Sequence, residues 1–113
     1  MKKVEAIIRQ EKLEALKAAV HEHYEITGMT VAQVLGCGQQ KGQNYVRGQK
    51  VLTTLLPKVT VSFVLADEAV ESVIDLIIDI CHTEEVGDGK IFVYPIEEVI
   101  RIRTREHGRS AIS

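Results

Sequence analysis

Val59, Val61, Phe63 and Leu65 alternate with Thr60, Ser62 and Val64. A period of two predicts a β-strand, here over Val59–Leu65. Val4, Ala6 and Ile8 repeat the alternation and predict a first strand over Lys2–Ile8. Leu13, Leu16, Val20 and Tyr24 recur at helical spacing, which predicts helix one across about Glu11–His23. Gly28 reopens the backbone ahead of a second strand, Met29–Leu35. Asp67 reads as an N-cap, with Glu68 and Glu71 in the positive first turn of helix two. The apolar stripe of that helix is wide: Val70, Val73, Ile74, Ile77, Ile78 and Cys81. Lys90–Tyr94 follows as strand four, then a short strand from about Val99 to Arg103 and a polar tail. The order is βαβ–βαβ, which is the ferredoxin-like α+β plan, βαββαβ, in a single domain over residues 1–113.

Strand four has Ile91 and Val93 on one side and Phe92 and Tyr94 on the other, so both faces read as apolar. Two helices cover only one face of such a sheet. The other face is expected to pack on a second copy of the chain, the alternative being a partly exposed apolar sheet. Between strands two and three, Gly36–Leu56 shows no clear period and holds Gly36, Gly38, Gly42 and Gly48 with Lys41, Arg47 and Lys50. A segment this long inside a compact domain reads as an interaction loop, projecting over about residues 38–55, or as a plain hairpin extension.

Composition narrows the field. A hydrophobic fraction of 45%, a charged fraction of 27% and a net charge of -2 fit a globular chain and argue against general affinity for nucleic acid or anionic membrane. Met1-Lys2-Lys3 is not followed by the apolar run of a signal peptide, and no apolar stretch approaches membrane-spanning length, so a cytoplasmic location is expected. Cys37 and Cys81 lie far apart and form neither a disulfide framework nor a metal-binding pair. His21 and His23, two apart on a helix, point in different directions and read as surface residues.

The candidate chemistry lies in Thr83-Glu84-Glu85-Val86-Gly87-Asp88-Gly89-Lys90 and in the pair Arg101 and Arg103. Glycines that free backbone N–H groups, with a lysine behind them, suit a phosphate cradle. Arginines two apart on a strand put both guanidiniums on one face, about 7 Å apart, able to straddle neighbouring phosphates. The bland readings are a tight Asp-Gly turn and solvated charges on an edge strand. Nothing places a nucleophile or base beside an orienting partner, so a nucleotide-binding regulator is expected rather than an enzyme, with slow ATP hydrolysis at most incidental.

These pieces match a known family in order and at the right intervals. The stretches Met1–Arg9, Thr27–Val31, Gly36–Gly42, Leu56–Val59, Thr83–Val93 and Val99–Thr104 resemble the PII nitrogen-regulatory signal-transduction proteins over essentially the whole chain. The resemblance implies a homotrimer whose clefts between neighbours bind ATP or ADP. It also implies a long loop, here about residues 38–55, that docks on a target such as a membrane transporter or an enzyme of nitrogen metabolism. One side of each cleft would use Ile7, Gly36, Cys37, Gly38 and Gln39, with Gly87, Asp88, Gly89 and Lys90 around the phosphates. The neighbour would supply Gly28, Met29, Thr30, Ser62 and Val64 near the adenine, and Arg101 and Arg103 to the phosphates. By the same resemblance Gln40 coordinates Mg²⁺ beside 2-oxoglutarate, with Lys41 adjacent, and Lys58 pairs with that acid's distal carboxylate. Lys41, Arg47 and Lys50 would be the charged positions of the partner loop.

The chain departs from the family pattern in places that bear on its behaviour. Val46-Arg47-Gly48-Gln49-Lys50-Val51 stands where the family has Tyr-Arg-Gly-x-x-Tyr, and Tyr45 is out of register, so the phenol that accepts a nucleotidyl group is absent. Gln39 replaces a usual arginine near the terminal phosphate, which weakens preference for ATP over ADP. The loop is one residue shorter than usual, and Arg9-Gln10-Glu11-Lys12 replaces the common Arg-Pro-Phe-Lys. Two readings therefore stand: a nitrogen regulator responsive to 2-oxoglutarate, or an adenylate energy sensor that regulates a different membrane transporter. Ferredoxin-like RNA-binding and metal-binding modules are remoter. The first needs aromatics on the central strands, where only Phe63 is found, and the second needs clustered ligands.

Overall fold

The computed structural model describes residues 1–37, 45–46, 49–50 and 55–113. In chain order the elements are β1 (Lys2–Arg9), a 3-10 turn (Gln10–Lys12), α1 (Leu13–His21), β2 (Thr30–Gly36), β3 (Tyr45–Val46), β4 (Gln49–Lys50), β5 (Leu56–Leu65), a 3-10 turn (Asp67–Ala69), α2 (Val70–Cys81), β6 (Lys90–Pro95) and a last 3-10 turn (Gly108–Ala111). Four strands form an antiparallel sheet in the order β2-β5-β1-β6, and β3 pairs with β4 separately, Tyr45 opposite Lys50. Two helices on a sheet of this order make the ferredoxin-like fold that the alternating pattern predicts.

The register explains which residues are buried. Val4 lies opposite both Phe63 and Val93, and Ala6 opposite both Val61 and Ile91. Partners across an antiparallel ladder share a face, so the alternating apolar positions of β1 and β5 all point to the helix side. There Val4, Ala6, Ile8, Val59, Val61, Phe63 and Leu65 pack with Leu16 and Val20 of α1 and Val73, Ile77 and Cys81 of α2. Edge strand β6 is covered less well: Ile91 is partly buried, and Val93 beside it is exposed, as is Ile78 of α2.

Three local expectations are corrected. Helix α1 ends at His21, and Tyr24 lies beyond it, 89% exposed and stacked on His23 instead of joining the core. Asp67 makes no side-chain cap; a 3-10 turn intervenes before α2, and its carboxylate binds the N-terminal ammonium at 2.8 Å. That ammonium offers a full charge, which the partial charge of a helix end does not match. Finally, Val99–Arg103 is not a strand. A single bridge joins Ile100 to His107, and the chain reverses between them, with the Arg105 N–H donating to the Arg101 carbonyl at 2.7 Å and Arg105 at φ 63°. Alternating Ile and Arg side chains mimic a strand's period, but the chain turns back too soon to pair with β6, so the expected strand spacing of the two guanidiniums does not hold.

Candidate functional site

The sheet's reverse face, away from the helices, carries most of the residues singled out on the strands. Thr30 lies opposite Ser62, Ile7 lies opposite both Thr60 and Lys90, Val34 lies opposite Lys58, and Gly36 lies opposite Leu56. By parity Ile7, Thr30, Gly36, Lys58, Ser62, Val64 and Lys90 all belong to this one face. Among the described residues no helix covers it. Phe92 and Tyr94 share it and are partly exposed, and the Tyr94 hydroxyl donates to Glu5 at 3.2 Å. Met29 departs from the group, packing against the core beside α1. Gly28 faces open space and Cys37 is exposed. Gly38, Gln39, Gln40, Lys41 and Arg47 lie outside the described residues, and Lys50 is described only through its pairing with Tyr45.

The turn between α2 and β6 is built around Asp88. Its carboxylate accepts from the Thr83 N–H at 2.7 Å, the Glu84 N–H at 3.2 Å, the Thr83 hydroxyl and Arg9 Nε at 3.0 Å. Arg9 Nη2 also donates to the Val86 carbonyl at 2.9 Å, and Lys58 Nζ donates to the Gly87 carbonyl at 2.7 Å. Glu84, Gly87 and Gly89 take positive φ, 69°, 108° and 97°. At Gly89 a Cβ would collide with the Ile7 carbonyl, so only glycine lets the turn lie flat on β1 and deliver Lys90 into register. The carboxylate of Asp88 is thus engaged inside the turn, and what this residue offers outward is its backbone. The sequence reading missed Arg9 and Thr83 as positioning residues. A Thr five residues before an Asp-Gly pair is a weak local signal, and Arg9 gives none, since it is 79 residues from its partner.

These hydrogen bonds, led by those from Thr83, hold the Asp88 carboxyl well below the usual carboxylate range. A depressed folded-state pKa means that the staple stabilises the fold fully above the unfolded value of about 3.9. That stability is lost as pH falls through the lower folded value. Asp88→Asn is therefore expected to lower the denaturation midpoint near neutral pH and to flatten its fall below about pH 4, which denaturant titrations across that range measure.

Arg101 sits elsewhere. Its Nη2 donates to the Ser110 carbonyl at 2.6 Å and lies 3.3 Å from the Glu106 carboxylate, while its Nε is buried without a partner among the described residues. Arg103 is exposed. Strand β6 begins at Lys90 and ends at Pro95, so about 17 Å of strand separates the lysine from the segment that carries the arginines. The Ile96 N–H donates to the Met1 carbonyl, which fixes that segment beside the start of β1. Thr27 donates to the Ile112 carbonyl, joining the approach to Thr30 to the same end. Ile7, Gly36, Lys58, Gly87, Gly89 and Lys90 therefore gather at one end of the sheet, and Thr30, Ser62, Val64 and Arg101 lie toward the other.

Fold and site define a ferredoxin-like chain with Lys58 and Lys90 toward one end of its sheet and Arg101 beside the other. The family model described as nitrogen regulatory protein P-II matches residues 1–106. The chain is 49% identical to nitrogen regulatory protein P-II of Azospirillum brasilense, 50% to that of Rhizobium meliloti and 49% to that of Nostoc punctiforme. Each match covers 99% of this chain and the whole of the relative. The chain belongs to the P-II nitrogen regulatory protein family.

Proposed function

We propose that copies of this chain assemble as a homotrimer, and that ATP or ADP binds in the clefts where one copy's Lys90 end meets its neighbour's Arg101 end. The observation that carries this reading is the split itself: cations suited to phosphate stand toward opposite ends of the sheet, too far apart for one chain to close them on a single phosphate. On the first copy, the Gly87–Lys90 backbone and the Lys90 ammonium would hold the phosphates, beside Ile7, Gly36 and Cys37. On the neighbour, Arg101 and Arg103 would approach the phosphates, with Thr30, Ser62 and Val64 toward the adenine. The donors fit a polyanion, which supports a binding and regulatory role.

The signal would leave through the loop over residues 38–55, whose Lys41, Arg47 and Lys50 would meet a target in nitrogen metabolism or a membrane transporter. No helix among the described residues is long and apolar enough to cross a membrane. Membrane recruitment would then come through a transporter, from the cytoplasm. Among the described residues no cluster of His, Cys, Asp and Glu could hold a metal, so Mg²⁺ would depend on phosphate oxygens and Gln40. A ligand shifts the loop only by its differential affinity for the loop's states, so modest discrimination between ATP and ADP means a modest switch.

A second reading, an adenylate sensor indifferent to 2-oxoglutarate, is favoured by one feature. Lys58 and Arg9 line a pocket of about 570 Å³, and both already serve the turn, through the Gly87 and Val86 carbonyls. Titration calorimetry with ATP, ADP and ATP plus 2-oxoglutarate separates the readings. Adenylate binding unchanged by 2-oxoglutarate supports the sensor, strong synergy supports the nitrogen regulator, and no adenylate binding removes both.

A further inference from the structure

We propose that Arg9 is a positioning residue for the phosphates: by neutralising Asp88 it turns an acidic bend into one that accepts an anion. The inference rests on the adenylate reading and assigns a role to a side chain that need not touch the nucleotide.

The bend ahead of Lys90 is rich in groups that would repel a phosphate. It holds the Asp88 carboxylate two residues before Lys90, and the Val86 and Gly87 carbonyls just before that. Each of these acceptors is occupied from an adjoining strand. Arg9 at the end of β1 takes Asp88 through Nε and Val86 through Nη2, and Lys58 of β5 takes Gly87. The Arg9 and Asp88 side chains are only 20% and 22% exposed, so solvent screens this pair less than it screens the exposed Glu84 and Glu85. Glu11, at 3.8 Å from Arg9 Nη1, lies in solvent and competes weakly. Removal of the guanidinium leaves an unneutralised carboxylate in the bend that leads into the lysine meant for phosphate, and Thr83 keeps that carboxylate ionised through its two hydrogen bonds.

Charge repulsion scales with the charge of the ligand, whereas a collapsed site loses every ligand alike. Calorimetry on the full-length protein with adenosine, ADP and ATP reads this difference. Arg9→Gln is expected to weaken ATP about 30-fold and ADP about tenfold, leaving adenosine within about twofold. Arg9→Lys, which keeps the charge, recovers most of the loss, and Arg9→Gln with Asp88→Asn recovers it by deleting the unneutralised carboxylate. Equal losses for the three ligands, no loss at all, or no recovery in the double variant would overturn the role of Arg9 while the adenylate reading stands. A wild-type protein that binds none of the adenylates overturns both.

Discussion

Arg101→Ala combined with Arg103→Ala is expected to abolish measurable ADP binding while the proposed trimer stays assembled. A charge-assisted hydrogen bond contributes about 1.5–3 kcal/mol, so losing both guanidiniums predicts ~3–6 kcal/mol, a fall of ~100-fold or more. Arg103 is exposed, and its removal leaves no described partner unsatisfied. Arg101 does hold the Ser110 carbonyl and the Glu106 carboxylate, but both are exposed groups that water can serve. The strand core and helices are untouched by either change. Sedimentation together with calorimetry checks this pair of outcomes, and unchanged ADP affinity would remove the arginines from the site.

Gly89→Ala is expected to have the largest effect on stability, a loss of about 3 kcal/mol or more. Two independent effects add. The residue lies at φ 97°, where a side chain is strained, and the new Cβ would clash with the Ile7 carbonyl and push on its carbon. Ile7 is paired with Lys90 in the ladder that joins edge strand β6 to β1, so the turn cannot move away without pulling β6 off β1. A denaturation midpoint within error of wild type would mean that the turn does not lie on β1 as described. Nucleotide affinity should fall with stability, because the same displacement carries Lys90 out of register.

The alternating core was legible because strand parity needs only local sequence: Val59, Val61, Phe63 and Leu65 all fall where their period places them. The α2 stripe was readable for the same reason, although Ile78 at its margin is exposed because edge strand β6 is too narrow to cover it. Val99–Arg103 misled because a turn with alternating residues resembles a strand until its hydrogen-bond partners are known. Asp67 misled in a similar way, since the competing ammonium of Met1 comes from the start of β1, remote in sequence. The gathering of Ile7, Thr30, Ser62, Val64 and Lys90 on one face followed from register, which the sequence implies only once the strand order is settled. The network of Arg9, Thr83, Asp88 and Lys58 joins three separate segments and has no period to betray it.

A mixing experiment tests the shared cleft most directly. Lys90→Glu damages one end of the sheet, and Arg101→Ala with Arg103→Ala damages the other, so each variant alone is expected to bind no ADP. Co-refolded in equal amounts, they should regain ADP binding in about one cleft in four, the share that random assortment gives an intact Lys90 end facing an intact Arg101 end. Recovery near that level is the predicted result. A mixture that binds no more ADP than the separate variants would contradict a site built from two copies.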